Sequence, residues 1–294
     1  MKNTSSRWLA GALSALLALP ALAADATLGK IQSSNTLTIG YRKDAAPLSY
    51  VDDNGRPIGY AIELCQLLAA RIQSQLKLPG LQVQYVPVSI AERFDRMADG
   101  KIQLECADTT NTKARRDMVG FGLTYYYAGA RMLVRKDEAR EQLAQMANAR
   151  IAVIKGSTGQ LIVERMAGAK LVHVGSTDEG AKAVVEGRAD AFVSDDISLI
   201  DQSRALKGAL KVVGPRMSVE PLAPMVPRNA PDFQGLIVQA MKDIYRDGTA
   251  RQVYRKWFEH ALPLRGYALE LPPDQLLNDT FRRPDGFVTD WTVL

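Results

Sequence analysis

Histidine and cysteine are scarce, with two of each in 294 residues. A structural zinc centre takes four Cys or His ligands at short spacing. His173, His260, Cys65 and Cys106 are too few and too scattered to supply one, and neither histidine is assigned a role. There is no H-E-x-x-H helix and no acidic calcium loop, so neither a metal nor any other cofactor is expected. There is also no G-x-S-x-G elbow and no cysteine–histidine pair placed for nucleophilic catalysis. Aromatics make up 7% of the chain and the formal charge is only +5, with the basic residues scattered. That is not the footprint of a nucleic-acid binder. Beyond the first two dozen residues, no apolar run approaches the ~20 residues of a membrane span.

The start of the chain is different. Lys2 and Arg7 precede an apolar stretch from Trp8 to Leu22 that ends in Ala21-Leu22-Ala23. A positive start, a short apolar run and a small-x-small ending describe a cleavable secretory leader. Cleavage is expected after Ala23, with Ala24 as the next choice; the competing reading is an uncleaved anchor. No cysteine follows the run, which argues against a lipid-anchored form. Removing residues 1–23 takes away Lys2 and Arg7 and leaves 35 Lys and Arg against 32 Asp and Glu, a charge of +3. About 270 residues remain, enough for one large domain or two medium ones.

Along the rest, short β-rich runs alternate with helical spacing. Thr36–Tyr41 (TLTIGY) is a strand, followed by a turn-rich excursion with a hairpin signal at Asp53-Asn54-Gly55. Ile62, Cys65, Leu68, Ala69 and Ile72 repeat at helical spacing within 61–76. Strands follow at 81–88 and 102–106, with a helix at 90–98 between them. The middle repeats the pattern with strands at 131–135, 149–154, 170–174 and 189–193, and helices at 161–166 and 178–186. A long amphipathic stretch, 234–258, breaks near Asp247-Gly248, and the tail after Pro263 reads as irregular. This alternation predicts mostly parallel sheets covered by helices. It divides the chain into one α/β unit over 28–127, rejoined by 220–294, and a second over 131–216. Crossing segments lie near 125–133 and 211–227.

Ligands of open α/β sheets sit at the carboxyl ends of strands. Arg42 ends the first strand, Arg93 lies near the start of the second helix, and Asp108, Thr110 and Arg115 follow the third strand. A guanidinium grips a carboxylate through two parallel hydrogen bonds. In the second unit, Lys155-Gly156-Ser157-Thr158-Gly159 joins a strand to a helix and can approach an anion. It lacks the spacing of a phosphate loop. Asp195 ends a strand and can meet an ammonium or cap the next helix.

These residues carry a resemblance. The run GYRKDAAPLSYVDDNGRPIGYAIELC, then KIQLECADTTNTKARR, FGLTYYYAGARMLVRK, KGSTGQ and EGRADAFVSDD, in that order, resembles periplasmic amino-acid-binding proteins of ABC importers. It covers the whole mature chain. ECxxTTN, the Arg in GYR and a tail with WF and FRRPDG look most like the glutamate/aspartate-binding members. The resemblance implies a type II periplasmic-binding-protein fold: two α/β lobes with mixed sheets, joined by two hinge strands and closing on a ligand. By position, Arg115 would clamp the ligand α-carboxylate, helped by Thr110, Thr158 and the Ser157 loop. Asp195 would hold the α-ammonium, and Arg42 with Arg93 would meet a side-chain carboxylate. Three positions depart from the acidic-ligand pattern: Asp108 stands for a small Ser, Ile154 for a polar residue, and Glu179 for a His. Asparagine, glutamine or a larger dicarboxylate therefore stay open as ligands.

The implied partners are a free amino acid and the transmembrane subunits of a permease, with the binding protein itself a monomer in the periplasm and not an enzyme. Two alternatives remain. Exported cyclohexadienyl dehydratases share the fold, and Asp108 or Glu179 would then supply a protonated carboxyl. A sensor that presents its ligand to a membrane receptor would look the same in sequence. Cys65 and Cys106 can form a disulfide in an oxidising compartment or remain two buried thiols.

Overall fold

The computed structural model describes residues 25–285; the expected leader, 1–23, lies outside them. Among the described residues no helix is long and apolar enough to cross a membrane.

A helix not expected from the sequence, α1 (Ala26–Ser34), opens the fold. Asp25 caps it by accepting from the backbone N–H of Thr27 at 2.9 Å. β1 (Thr36–Tyr41) leads into β2 (Asp44–Ala45), β3 (Ser49–Val51) and β4 (Pro57–Ile58), a small antiparallel sheet that contains the hairpin at Asp53-Asn54-Gly55. Then come α2 (Tyr60–Gln75), β5 (Gln82–Pro87), α3 (Arg93–Ala98), β6 (Leu104–Glu105), α4 (Lys113–Arg116), β7 (Val119–Phe121) and β8 (Tyr126–Ala128). The chain crosses into β9 (Ala130–Arg135), β10 (Arg150–Ile154), α5 (Thr158–Glu164), β11 (Lys170–Val174), α6 (Thr177–Val185), β12 (Ala191–Asp195), α7 (Asp196–Ala205) and β13 (Leu210–Val213). It returns through β14 (Glu220–Leu222) and β15 (Met225–Pro227) to α8 (Pro231–Arg246), α9 (Thr249–Phe258) and α10 (Gln275–Arg282).

Two five-stranded sheets result, ordered β5-β1-β6-β15-β7 and β11-β10-β12-β9-β13. In each, the strands joined by helical crossovers pair in parallel. The strands that enter directly after a crossing, β9 and β15, pair antiparallel to their neighbours. Both sheets are therefore mixed. Between them β8 and β14 pair antiparallel, Glu220 opposite Ala128, as a two-stranded ribbon that carries the chain across in both directions. This is the two-lobed arrangement with two hinge strands.

The helices form where the apolar spacing demands. Ile62, Cys65, Leu68, Ala69 and Ile72 of α2 are all buried. The break expected near Asp247-Gly248 separates α8 from α9, with Gly248 at φ 84°, a conformation glycine adopts without strain. The tail is less irregular than its sequence reads, because α10 buries Leu277 and Phe281. In the second sheet, Phe192 and Val193 belong to two different apolar clusters. Adjacent strand residues point to opposite faces, so both faces of this sheet are covered. The few aromatics gather beside the ribbon: Phe258 stacks on Tyr254 at 4.3 Å and on Tyr126 of β8 at 5.1 Å.

Cys65 of α2 and Cys106, just after β6, form a disulfide. It pins the helix to the strand that leads into the Asp108–Arg115 segment. With its ends 41 positions apart, loop-closure entropy assigns it about 4 kcal/mol.

Candidate functional site

β1, β6, β10 and β12 end at the cleft between the lobes, and the residues that follow them meet there. Arg42 and Arg93 are 2% and 1% exposed. The Arg42 guanidinium donates to Asp108 at 3.3 Å and to Asp44 at 2.8 Å. Arg93 approaches the same Asp108 carboxylate at 3.6 Å, while among the described residues its Nε and Nη1 find no hydrogen-bond acceptor. Two buried guanidiniums thus converge on one carboxylate. Burial works against the Arg42 charge, but Asp108 and Asp44 outweigh it and raise its pKa.

Arg115 sits in the short helix α4, whose N-terminus is capped by the Thr112 hydroxyl. Its two terminal nitrogens donate to backbone carbonyls, Thr110 O at 3.0 Å and Gly156 O at 3.2 Å. Gly156 is at φ 80°, and its carbonyl accepts this bond from the other lobe. Among the described residues no carboxylate lies within ion-pair distance of Arg115. Burial, and then the neighbouring charge of Arg93, push its pKa down to about 10, so it remains a cation at neutral pH.

Asp195, at the end of β12, is partly buried, and among the described residues its side chain makes no hydrogen bond; it does not cap α7. Burial first, then the nearby Glu220 and Asp108, raise its pKa well above the usual carboxylate range. Thr110 and Thr158 come from opposite lobes, and both hydroxyls donate to one oxygen of Glu220, at 2.8 and 2.6 Å. Ser218 donates to the other oxygen at 2.6 Å. Glu220 is fully buried on the hinge strand β14.

Two of the expected site residues stand apart. Ser157 caps α5 by accepting from the Gln160 N–H at 3.0 Å. Glu179, expected to face a ligand, is exposed. Its carboxylate accepts from the Gly175 N–H at 2.7 Å, and its own N–H donates to Ser176. It closes the first turn of α6 locally. The residue of α6 that faces the cleft is Thr177, whose backbone N–H donates to Asp44 at 2.6 Å. That bond joins the lobes and places a carboxylate on the helix N-terminus, where the dipole favours it. Ile154 is buried in the second lobe beside Ile90.

Asp44, Thr177, Glu105 and Glu220 were not singled out from the sequence. Asp44 is two residues from Arg42 but works across the cleft. Glu105 is fully buried, and among the described residues neither of its oxygens has a hydrogen-bond donor. Burial, partly offset by Arg93, raises its pKa to about 7. Among the described residues no group of His, Cys, Asp and Glu is arranged to hold a metal.

Over 282 residues the chain is 28% identical to the L-glutamate/L-aspartate-binding protein of Pseudomonas aeruginosa, covering 92% of this chain and 93% of that one. It is 25% identical over 295 residues to the glutamate/aspartate import solute-binding protein of Escherichia coli, covering 97% and 98%. An ancestral amino acid-binding protein, described as a precursor of cyclohexadienyl dehydratase, superposes with a TM-score of 0.68 at 28% identity, over 79% of this chain and 98% of that one. The model of one family matches residues 37–260, from the first strand of the fold to the end of its last long helical stretch. The chain belongs to the bacterial extracellular solute-binding proteins of family 3.

Proposed function

We propose that this protein captures a free acidic amino acid, glutamate or aspartate, in the cleft between its lobes and delivers it to the permease of an ABC importer. The observation that carries the reading is a pair of unmet opposite charges. Among the described residues no carboxylate lies within ion-pair distance of Arg115 and no donor bonds the Asp195 side chain; the two act on each other only at longer range. A zwitterionic head group supplies both, its carboxylate to Arg115 and its ammonium to Asp195. A sugar supplies neither, and a simple dicarboxylate leaves Asp195 buried without a cation, which is costly.

The side-chain end rests on Arg42 and Arg93. The place between them already accommodates a carboxylate, that of Asp108, and a ligand carboxylate would join or displace it. The two relatives named for glutamate and aspartate match more than nine-tenths of the chain and support the acidic preference. Lobes at 28–127 with 220–294 and at 131–216, a leader at 1–23, export to the periplasm and action as a monomer complete the proposal.

We read this as binding without catalysis. The ancestral relative is itself described as amino acid-binding, and Glu179, one of the two carboxyls that a dehydratase reading would recruit, lies exposed outside the cleft. The test is a thermal-shift screen of the unfolded-and-refolded mature chain against the twenty amino acids, small dicarboxylates and prephenate. A ligand that binds only the folded state raises its apparent stability with concentration. Shifts confined to glutamate and aspartate are expected. A shift with a neutral or basic amino acid alone would remove the acidic preference, and turnover of prephenate would replace binding by catalysis.

A further inference from the structure

Glu220 has no place in the head-group scheme above, yet it is the most heavily hydrogen-bonded carboxylate at the site. A carboxylate only accepts hydrogen bonds, and a hydroxyl has one proton to give. Both threonine protons are committed to the same Glu220 oxygen. The Thr110 and Thr158 hydroxyls therefore have no proton left for a ligand carboxylate. Each keeps acceptor capacity, and no donor among the described residues fills it. The backbone N–H groups of the same two residues are likewise without an acceptor.

We infer that Glu220 is a positioning residue that orients the Thr110 and Thr158 hydroxyls as acceptors, so that with Asp195 they form a three-acceptor cradle selecting ligands that carry an ammonium. An ammonium has three donors, which this cradle matches in number. The carboxylate of the same ligand is then left to Arg115 and the two threonine N–H groups. Thr110 and Thr158 act through both of their polar atoms, one on each side of the ligand head group. Ser218, which accepts from the Ala130 N–H at 2.9 Å while donating to Glu220, fixes the carboxylate from the hinge side. The inference rests on the amino-acid reading proposed above and sharpens it: beside Asp195, part of the selectivity for the amine comes from a residue that does not touch the ligand.

The experiment compares, by calorimetry, the amino acid that the wild-type protein binds with its deaminated counterpart, glutamate with glutarate in the expected case. Glu220→Leu frees both hydroxyls to turn and donate. It should shrink the preference for the amine by roughly ten-fold or more, about the worth of a hydrogen bond to a charged group. Glu220→Gln, whose amide oxygen still accepts from the threonines, should restore part of what Glu220→Leu loses. Thr110→Val, which removes one acceptor and one of the hydrogen bonds to Glu220 but keeps the hinge carboxylate and its bonds from Thr158 and Ser218, should weaken glutamate more than glutarate and serves if Glu220→Leu does not fold. Parallel losses for the two ligands, with their ratio unmoved in Glu220→Leu and in Thr110→Val, would reduce Glu220 to a structural hinge residue and overturn the inference alone. Wild-type protein that binds no amino acid would overturn the functional reading and the inference with it.

Discussion

Arg42 and Arg115 are both buried arginines on the same lobe, and their surroundings move them in opposite directions. Asp108 and Asp44 more than offset the burial of Arg42 and raise its pKa. Among the described residues Arg115 donates to two carbonyls and lies over the Phe94 ring, with no carboxylate in ion-pair distance; burial together with the charge of Arg93 lowers its pKa to about 10. One end of the cleft thus carries ion pairs of its own, while among the described residues the arginine at the other end is in none. At the Arg115 end a ligand carboxylate and ammonium complete charges that the protein leaves open. At the Arg42 end a ligand carboxylate has to compete with Asp108 and with Asp44, which is also tied to the second lobe through Thr177. Recognition of the amino-acid head group is therefore expected to be strong and general, and recognition of the side chain finer and more easily altered.

The largest effect is expected at the open end. Arg115→Met should weaken every amino acid by a hundred-fold or more, the ~3–5 kcal/mol of leaving one partner of a buried ion pair alone. Titration calorimetry with one acidic and one neutral ligand checks it; a loss confined to the acidic ligand would reverse the assignment of the two ends.

Next comes Glu105, which lies under the paired end and is electrostatically coupled to Arg93 and Arg42. Its folded-state pKa of about 7 stands above the ordinary 4.5. Below pH 4.5 the carboxyl is protonated in both states and costs nothing. Between 4.5 and 7 the unfolded chain ionises first, so stability falls as pH rises, by about 3 kcal/mol once pH exceeds 7. Glu105→Gln should therefore melt higher than wild type at pH 8 and close to it at pH 4.5. Equal melting of the two proteins at pH 8 would mean that the Arg93 and Arg42 charges fully compensate Glu105.

Arg42→Met should narrow the preference for glutamate over glutamine by roughly ten-fold, in line with the ~1.5–3 kcal/mol of a hydrogen bond to a charged group. Asp108→Asn, which removes the competing carboxylate but keeps a similar shape, should have the smallest effect and the opposite sign. Glutamate should bind a few-fold more tightly, by about 1 kcal/mol. A weaker glutamate complex in Asp108→Asn would show that Asp108 assists the ligand and does not compete with it.

The strand–helix alternation and the positions of Arg42, Asp108, Thr110, Arg115 and Asp195 after strands, and of Arg93 and Thr158 at helix starts, were readable because local periodicity and turn chemistry mark them. α1 and α10 were not. Each commits few residues to the core, Ile31 in one and Leu277 with Phe281 in the other, and so writes little apolar spacing into the sequence. Glu179 was misplaced by two residues along α6, since position on a helix decides whether a side chain caps its own turn or faces the cleft. Asp44 and Glu220 were invisible for a different reason. Their partners lie 133 residues away at Thr177, and 110 and 62 residues away at Thr110 and Thr158. No local pattern predicts a hydrogen bond that exists only when two lobes meet. The Cys65–Cys106 bond was open in sequence because spacing does not report whether a helix and a strand face each other.

The most direct test of the account is calorimetric titration of the refolded, ligand-free mature protein with glutamate and with two analogues that each lack one of its charges. Glutarate lacks the ammonium and glutamine lacks the side-chain carboxylate. Glutamate is expected to bind tightest, glutamine more weakly, and glutarate most weakly, because it leaves Asp195 without a cation. Glutarate binding as tightly as glutamate would contradict it.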